Sequence, residues 1–466
     1  MTVIQEIAVP LHRYYANIER FMKEKTLYVV LACMTVFTVR AQQAWSLQDC
    51  INHALQHNIQ IQKNRISQEQ GEVTLWQNQG ALFPSLSFST SQSAGYRPFE
   101  ETTAIVQNGQ VTNTSNKLTY QGSYGLNASW TVWNGGINRK NIKAQELQNE
   151  ITQLATEQSE LSIQEQIAQL YVQIMYTKEA KKVNEKLLET AQSQYDRGQE
   201  MLAQGQMARA DVAQLEAQLS SARYDVTNSE SQIANYKRQL KALLELDLTT
   251  PFDVAGEAPT DEKVLAAVPS AEEAYERALT TRPEIRSAEL SMDAADMQLD
   301  IARRGFLPTV GMSAGVGDSH YSASPYGAGK QMKRNLNASA GVTVSVPIFD
   351  NRRTRANVKQ AKLQQANTRL DLQDRKNTLS STIEQYWINA RTGQQNFIAA
   401  RSRAESQQLS YDLLSEQFAA GLKNVVDVLE GRDNLLSAQQ AMLQSKYTTL
   451  LNVQLLKFYT GENIDL

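Results

Sequence analysis

Cysteine is nearly absent from this chain of 466 residues, which contains only Cys33 and Cys50. A chain whose first segment is removed on export would keep Cys50 alone, and one cysteine cannot form an internal disulfide. An excess of basic charge is also missing, because the formal net charge is −3. We therefore expect no electrostatic attraction to nucleic acid.

Long apolar runs and catalytic motifs are missing too. No run reaches the roughly 18 apolar residues that a spanning helix requires. The apolar content of 41% is low for a large core and typical of chains with much wet helix surface. His53 and His57 could share a helix face, but no carboxylate follows them in a metalloprotease arrangement. We expect neither an enzyme nor a metal or cofactor site.

The N-terminus carries the pattern of a secretory signal. Lys23 and Lys25 precede the apolar run 27–39, and Ala41 supplies a small residue at the expected cleavage site. This order of a basic, an apolar and a small-residue region predicts a signal peptide over residues 1–41.

The segment raises two further questions, where translation starts and whether Cys33 carries a lipid. Met22 lies just before the two lysines, so residues 1–21 are interpreted as an upstream extension of the true start. Residues 30–33 resemble the cleavage box of a lipoprotein, which would place a lipid on Cys33. The apolar run continues after Cys33, and this argues against lipidation.

The chain repeats itself at two fixed offsets. Ala-Leu-Phe-Pro at 81–84 recurs as Gly-Phe-Leu-Pro at 305–308. Trp-Asn-Gly at 133–135 corresponds to Phe-Asp-Asn at 349–351, at a slightly shorter offset. Further pairs share the first or the second offset: Ala54 with Ala278, Gly205 with Gly421, and Asp211 with Asp427. A repeated offset predicts a duplicated structural unit.

The duplication divides the chain into two repeats and a linker. We predict the first repeat over residues 42–247 and the second over 270–466. Residues 248–269 join them and contain three prolines, Pro251, Pro259 and Pro269.

Each repeat has the same predicted order of elements: helix, two strands, a very long helix and a shorter helix. The first helix ends before a proline, which cannot continue it. The predicted helices are 47–81 and 270–305, the strands 85–96, 118–133, 309–317 and 336–348, and the long helices 137–203 and 352–418. A helix of about 66 residues would be roughly 100 Å long. Its thin apolar seam predicts coiled-coil packing with water on two sides, although an ordinary two-stranded coiled coil is the alternative for the helices alone.

Residues 118–133 alternate between apolar or small side chains and polar ones, as in a strand with one apolar face. Such a face usually covers a soluble core. Here the chain is exported, no helix offers a broad apolar face to cover it, and about 10–14 residues of tilted strand can cross a bilayer. We therefore predict that this face contacts lipid. The aromatic residues expected at the membrane interface are Phe83, Trp130, Trp133, Phe306 and Phe349.

Four strands cannot close a barrel, and an open edge in lipid would leave backbone groups unpaired. Two copies would give about eight strands, whose side chains fill the interior. Three copies give the smallest plausible open pore, so we predict a homotrimer with a shared twelve-stranded barrel.

These features together resemble the TolC-type outer-membrane efflux proteins. The resemblance rests on the start WSLQDCINHALQHNIQIQ, the junctions FP and LP, the strand ends WTVWNGG and VPIFDN, and the paired turns GQMARADV and GLKNVVDVLEGRDNLLSAQ. It implies a mainly α fold with a β-barrel part: a trimeric barrel in the outer membrane that continues into a helical tunnel across the periplasm. It also implies a periplasmic adaptor and, indirectly, an inner-membrane transporter as partners, with no chemistry of its own.

The resemblance further implies where the duct closes. Asp427 and Glu430 occupy the positions of acidic rings that constrict the entrance, and they share one helix face. Lys423 and Asp211 fall where the family has a latch between neighbouring subunits. Phe418 stands where the family often has a tyrosine, so that part of the latch is missing or replaced.

The two turns at the tip are the implied docking sites for the adaptor, with Gly205, Gly421 and Leu422 as the candidate residues.

The strongest alternative to an outer-membrane channel is a protein of another class, a soluble periplasmic coiled-coil adaptor or structural protein. It would share the signal and the long helices but would not need strands with a lipid-compatible face.

Overall fold

The computed structural model describes residues 44–465, apart from 97, 100–102, 108–109, 115–116, 248, 257, 323 and 325. The predicted signal peptide, the proposed start at Met22 and the lipidation question at Cys33 fall outside the described residues. In chain order the elements are α1 (Leu47–His57), α2 (Ile59–Gly80), β1 (Ser85–Tyr96), β2 (Thr103–Gln107), β3 (Gln110–Thr114), β4 (Leu118–Trp133), α3 (Ile137–Ala203), α4 (Arg209–Leu243), α5 (Asp261–Val264), α6 (Ala271–Thr281), α7 (Pro283–Arg304), β5 (Thr309–Tyr321), α8 (Ala328–Asn335), β6 (Asn337–Ser345), α9 (Arg353–Ala419) and α10 (Val425–Tyr459).

The two very long helices are confirmed. Helices α3 and α9 have 67 residues each, which corresponds to roughly 100 Å at 1.5 Å per residue. Each turns back into a helix of 35 residues, α4 or α10, and packs along it as an antiparallel hairpin. The four-stranded sheet lies at one end of α3 and α9, and the two hairpin turns form the tip at the other end.

Two helices that were predicted as continuous are each broken once, so the predictions for 47–81 and 270–305 are wrong in this respect. Asn58 and Arg282 separate the two pieces and adopt extended backbone angles. Asn58 uses its side-chain oxygen to accept from the N–H groups of Gln60 and Ile61, and so starts a new helix. Arg282 precedes Pro283, and the residue before a proline is disfavoured in helical geometry. Asn58 and Arg282 are separated by the first of the two sequence offsets.

The sheet is antiparallel with strand order β1-β4-β5-β6. Strand β4 has the predicted bounds, but β5 extends to Tyr321 instead of 317, and β6 covers Asn337–Ser345 instead of 336–348. The predicted loop between the first two strands also contains a small hairpin, β2–β3. Among the described residues, no helix combines the length and the apolar character needed to cross a membrane.

The strand register separates the two faces of the sheet. On one face, a row of cross-strand partners contains Phe88, Leu126, Val316 and Ala338. The adjacent row on the opposite face contains Ser87, Asn127, Gly315 and Ser339. Along all four strands, this second face carries Ser, Thr, Asn, Gln, Gly and, at its far end, Tyr321, without one charged side chain. One face is therefore apolar except towards its outer end, where it carries Thr90, Gln92, Asp318 and His320, and the other is uncharged and polar.

The main hydrophobic core lies midway along the long helices. Helix α1 buries Cys50 and Ile51 against Ile167 and Tyr171 of α3, and Val254 from the segment between the two halves completes the cluster. Burial raises the pKa of the Cys50 thiol to about 12. This cysteine is therefore an inert packing residue, fully shielded from solvent.

Candidate functional site

The two hairpin turns at the tip have the same backbone geometry. Gly205 and Gly421 both have a φ of 73°, which glycine adopts without steric cost. In each turn the glycine N–H donates to the carbonyl three residues before it, and the next N–H donates to the carbonyl five residues before itself. This is the Schellman motif that ends a helix. The turns project outward, with Leu422 76% exposed.

The predicted gate residues lie at the start of α10. Asn424 caps the helix by accepting from the N–H of Asp427 at 2.9 Å. The Lys423 ammonium lies 3.5 Å from the Asp427 carboxylate in the same chain. Glu430, one turn further, is exposed and forms no ion pair in the described part of the chain. Asp211 lies in the first turn of α4 and also lacks an ion pair among the described residues, so Lys423 and Asp211 are not joined within one protomer.

Phe418 lies in a hydrophobic cluster inside the tip. The cluster combines Phe418 and Tyr411 of α9 with Val425 and Val428 of α10 and with Leu215 of α4. Phe418 is buried, and this explains why a phenyl ring without a hydroxyl is stable at this position. The cluster joins the two hairpins through Leu215.

Two hydrogen bonds also connect the hairpins at this level. Arg197 of α3 donates to the carbonyl of Ala419 at 2.8 Å, where the last carbonyls of a helix lack partners within it. Gln194 donates to the hydroxyl of Tyr411 at 3.0 Å. Sequence reasoning did not identify Gln194 or Arg197, because nothing in a local pattern indicates a partner in the other half of the chain.

A half-buried carboxylate connects the two halves midway along the helices. Glu165 of α3 accepts from the hydroxyl of Tyr386 of α9 at 2.6 Å and from that of Tyr459 of α10 at 3.4 Å. Burial raises the pKa of both phenols, that of Tyr459 to about 12. Both tyrosines therefore remain protonated donors at neutral pH and hold the halves together.

The two histidines on α1 lie against each other. His53 and His57 stack with their ring centroids 4.1 Å apart. Burial lowers the pKa of His53, and the neighbouring His57 lowers it further. In the part of the chain that the structure describes, no group of three or more His, Cys, Asp or Glu side chains is placed to hold a metal ion.

In each hairpin, a glycine on one helix faces a leucine on the other. The glycine is on the longer helix in the first hairpin and on the shorter helix in the second. In the first hairpin, a Cβ built on Gly198 would lie 2.7 Å from Leu215. In the second, a Cβ built on Gly431 would lie 2.7 Å from Leu414. The offset that relates Gly205 to Gly421 also relates Gly198 to Leu414 and Leu215 to Gly431. At this contact, the leucine therefore comes from the shorter helix in the first hairpin and from the longer helix in the second.

We predict that Gly431→Leu destabilises the second hairpin by about 1–3 kcal/mol, because two leucines cannot occupy this contact. Adding Leu414→Gly should restore most of the loss, since the pair then has the arrangement of the first hairpin. Thermal unfolding of the single and double variants measures both effects. A Gly431→Leu protein that melts like the wild type, or a double variant that melts no higher than Gly431→Leu, would contradict the proposed contact.

The aromatic residues predicted at the membrane interface lie where the sheet meets the helices. All five are at least one-third exposed. The Trp130 indole N–H donates to the carbonyl of Leu82 at 2.8 Å, so its polar edge is bonded while the rest of the ring remains available. Phe83 and Phe349 are more than two-thirds exposed.

The outermost strands of the sheet, β1 and β6, each have one neighbour within the chain. The helices next to the sheet have a matching arrangement. Helix α2 packs on α3, α3 on α7, and α7 on α9. Helices α2 and α9 thus form the two outer edges of a ribbon of four helices.

Both edge helices carry an exposed apolar stripe. Ile66 and Val73 on α2 are seven residues apart, as are Leu363 and Leu370 on α9, and all four side chains are more than half exposed. A spacing of seven residues places each pair on one helix face, as in a coiled-coil seam. Among the described residues of one protomer, the two exposed stripes and the two strand edges therefore have no partners.

Comparison with known proteins identifies relatives along most of the described chain. A family model described as outer membrane efflux protein matches residues 50–245 and 274–462. The outer membrane efflux protein BepC of Brucella suis biovar 1 is 25% identical over 448 residues, 94% of this chain and 90% of that protein. The outer membrane protein TolC of Escherichia coli K12 is 26% identical over 289 residues, 60% of this chain and 56% of that protein.

Solved structures show the same fold. The outer membrane channel CmeC of Campylobacter jejuni has a TM-score of 0.73 and 22% identity, with 90% of this chain and 87% of CmeC covered. The open state of the MtrE outer membrane channel of Neisseria gonorrhoeae has a TM-score of 0.72 and 19% identity, with 90% and 89% covered.

Proposed function

Because this chain belongs to the outer membrane efflux protein family, with its strands in the outer membrane and its helices in the periplasm, we propose that three copies form the exit duct of a tripartite efflux or type I secretion system. The duct conducts passively and performs no chemistry. A periplasmic adaptor contacts it directly, and an inner-membrane transporter supplies the energy. The observation that carries this proposal is the pair of open edges on each protomer.

The open strand edges support a ring of copies. Backbone groups on β1 and β6 cannot bond to lipid, so each edge needs another strand inside the membrane. The chain runs away from the helices in β1 and towards them in β6. Pairing β6 of one copy with β1 of the next therefore continues the antiparallel order of the sheet. Such a contact is heterologous and closes into a ring.

The number of copies follows from the pore. One copy has too few strands to close, and two copies make a barrel of about eight strands, which side chains fill. Three copies make a wider barrel with room for water. The uncharged polar face of the sheet then lines the lumen, and the apolar face contacts lipid.

The exposed apolar stripes on α2 and α9 lie at similar distances from the sheet, measured along the helices. Val73 and Ile66 lie about two and four turns before the end of α2, while Leu363 and Leu370 lie about three and five turns after the start of α9. The two helices run in opposite directions, so Val73 faces Leu363 and Ile66 faces Leu370. Each pair differs in height by less than one helical turn, roughly 5 Å. Neighbouring copies would bury the two seams against each other.

We predict that Ile66→Cys combined with Leu370→Cys forms a disulfide between neighbouring copies on mild oxidation. Non-reducing gels should show covalent dimers and a closed covalent trimer as the final product, and Cys50 should not interfere because it is fully buried. Ile66→Cys with Arg369→Cys is the matched control, since Arg369 lies at nearly the same height as Leu370 but about 100° away around α9. Equal cross-linking in the control, or species beyond three copies, would overturn the ring.

We propose that Asp427 and Glu430 form the constriction at the periplasmic tip. Three copies would place six carboxylates around one axis, where they attract cations and repel one another. Lys423 and Asp211 of neighbouring copies form the latch in this proposal. The 3.5 Å contact between Lys423 and Asp427 supports a weak latch, because Asp211 of the next copy would compete with Asp427 for a single ammonium group.

The adaptor would dock at the two turns. Gly205 and Gly421 have open space around their α-carbons, and Leu422 is the most exposed apolar side chain there. The two turns share one backbone geometry, which supports a partner that recognises both in the same way.

We also propose that residues 42–247 and 270–466 are two copies of one repeat, and that the exposed aromatics at the sheet–helix junction mark the inner membrane interface.

A further inference from the structure

Helix α8 lies beside the end of β5, at residues where β6 does not pair with it. At the outer end of the sheet, away from the long helices, β6 begins only at Asn337, opposite Gly317. The Gln331 side chain accepts from the N–H of Tyr321 at 2.9 Å and donates to its carbonyl at 3.0 Å. Asn335 donates to the carbonyl of Ser319 at 2.6 Å. Helix α8 is therefore fixed against the rim of the sheet through one of its faces.

A second side of α8 is basic. At 100° per residue, Lys330, Lys333 and Arg334 fall within an arc of about 100°, whose centre lies about 110° around the helix from Gln331. All three side chains are exposed, and none forms an ion pair in the described part of the chain. Lys330 and Arg334 both lie over the ring of Tyr326, at 4.8 and 4.5 Å from its centroid. The ring holds these two cations near each other, and no carboxylate among the described residues neutralises them.

The apolar face of the sheet ends at this level. At this level β1 and β4 still carry the apolar pair Tyr96 and Leu118, whereas β5 carries Asp318 and His320 on the same face. Leu336, between α8 and β6, is exposed to a similar degree. Basic side chains directly beyond an apolar belt lie at the depth of phosphate groups in an anionic membrane surface.

We infer that the basic face of α8 binds the phosphorylated headgroups of lipids in the outer leaflet around the barrel. This inference rests on the membrane position of the sheet in the proposed duct. The occupant follows from charge complementarity and from continuity with the apolar face, since a lipid can satisfy both surfaces at once. Helix α8 thus has two roles, covering the free edge of β5 and anchoring the rim.

The test measures binding of diphosphoryl lipid A to the purified full-length protein in a neutral detergent, for example by native mass spectrometry. The variant Lys330→Gln/Lys333→Gln/Arg334→Gln should bind on the order of 100-fold more weakly, at about fivefold for each basic residue near the surface. Removing equal charge from exposed positions of α9, with Lys359→Gln/Lys362→Gln/Arg369→Gln, should change binding less than twofold.

Several results would overturn the inference. Lipid binding by the α8 variant at the wild-type level would do so, as would equal binding of lipid A without phosphate groups. Inorganic phosphate that binds as tightly as the lipid would indicate a simple anion site. A change in ion selectivity with unchanged lipid binding would place the basic face in the pore mouth. Single-channel recordings of the same proteins separate this failure from a failure of the duct itself, which would abolish conductance in the wild type as well.

Discussion

Val342→Arg should prevent stable insertion of the protein into the outer membrane, whereas Thr343→Arg should be tolerated. The two residues are adjacent on β6 and have side chains of nearly the same shape. Val342 pairs with Met312 on the apolar face, and Thr343 pairs with Gly311 on the polar face. An arginine facing lipid costs about 2–4 kcal/mol at the bilayer midplane and less towards the interfaces. This cost would recur in every copy of the ring.

The measurement is the amount of protein that resists urea extraction from isolated outer membranes. We expect a severe loss for Val342→Arg and a near-normal amount for Thr343→Arg, whose three added charges would instead reduce the preference of the pore for cations. If Val342→Arg inserted normally and Thr343→Arg did not, the faces would be reversed. If both inserted normally, the strands would not contact lipid.

Removing the acidic residues at the tip should have a comparably large effect on ion flow. The double variant Asp427→Ala/Glu430→Ala removes six carboxylates from the proposed constriction of a trimer. We expect a higher conductance through the closed duct and at least about a tenfold weaker block by multivalent cations, equivalent to about 1.4 kcal/mol. The polar face of the sheet, which would line the lumen of the proposed trimer, is uncharged, so it would not replace this cation site.

Planar-bilayer recordings with a trivalent cation measure the block. The control is Glu200→Ala/Glu416→Ala, which removes two exposed carboxylates at corresponding positions in the last turns of α3 and α9. This control should retain block close to the wild-type level. Unchanged block in Asp427→Ala/Glu430→Ala would exclude these residues from the constriction, and weaker block in the control alone would place the cation site on α3 and α9.

The longest elements were the most predictable from sequence. The bounds of α3 and β4 match those predicted, because 67 and 16 residues of regular patterning leave little ambiguity about type. The apolar alternation also assigned the side chains of 118–131 to their faces, since a strand has a period of two, but a bulge between Thr131 and Trp133 shifts the register at the end of β4. The family follows from the ordered duplication of motifs.

The breaks at Asn58 and Arg282 were missed for two different reasons. Pro283 was a visible signal, since a residue before proline avoids helical angles. Asn58 has no proline after it, and its role as a cap depends on hydrogen bonds that sequence does not display. Helix α8 was also missed, because its polar and basic residues form no apolar period of their own.

Only some of the contacts at the tip could be predicted from the sequence. The exchange of Gly198 and Leu215 for Leu414 and Gly431 could have been found by aligning the two repeats at their second offset. The hydrogen bond from Gln194 to Tyr411 could not, because it joins residues that only the packing of the two hairpins brings together. For the same reason, the family resemblance implied a latch between copies at Lys423 but did not indicate the contact of Lys423 with Asp427 of its own chain.

The alternative of a soluble adaptor or structural protein also explained the long helices. It did not require a sheet with one apolar and one polar face, nor two free strand edges beside two free coiled-coil seams. The match to the outer membrane efflux protein family over both halves of the chain favours the channel.

Single-channel conductance of the detergent-extracted wild-type protein in a planar bilayer, with its mass determined in the same detergent, tests the duct most directly. We predict a mass of three protomers and small, stepwise, cation-selective openings, since an uncharged barrel lumen leads to an acidic tip. A protein that stays soluble without detergent and produces no conductance would contradict the duct, because its strands would then pack against protein instead of lipid.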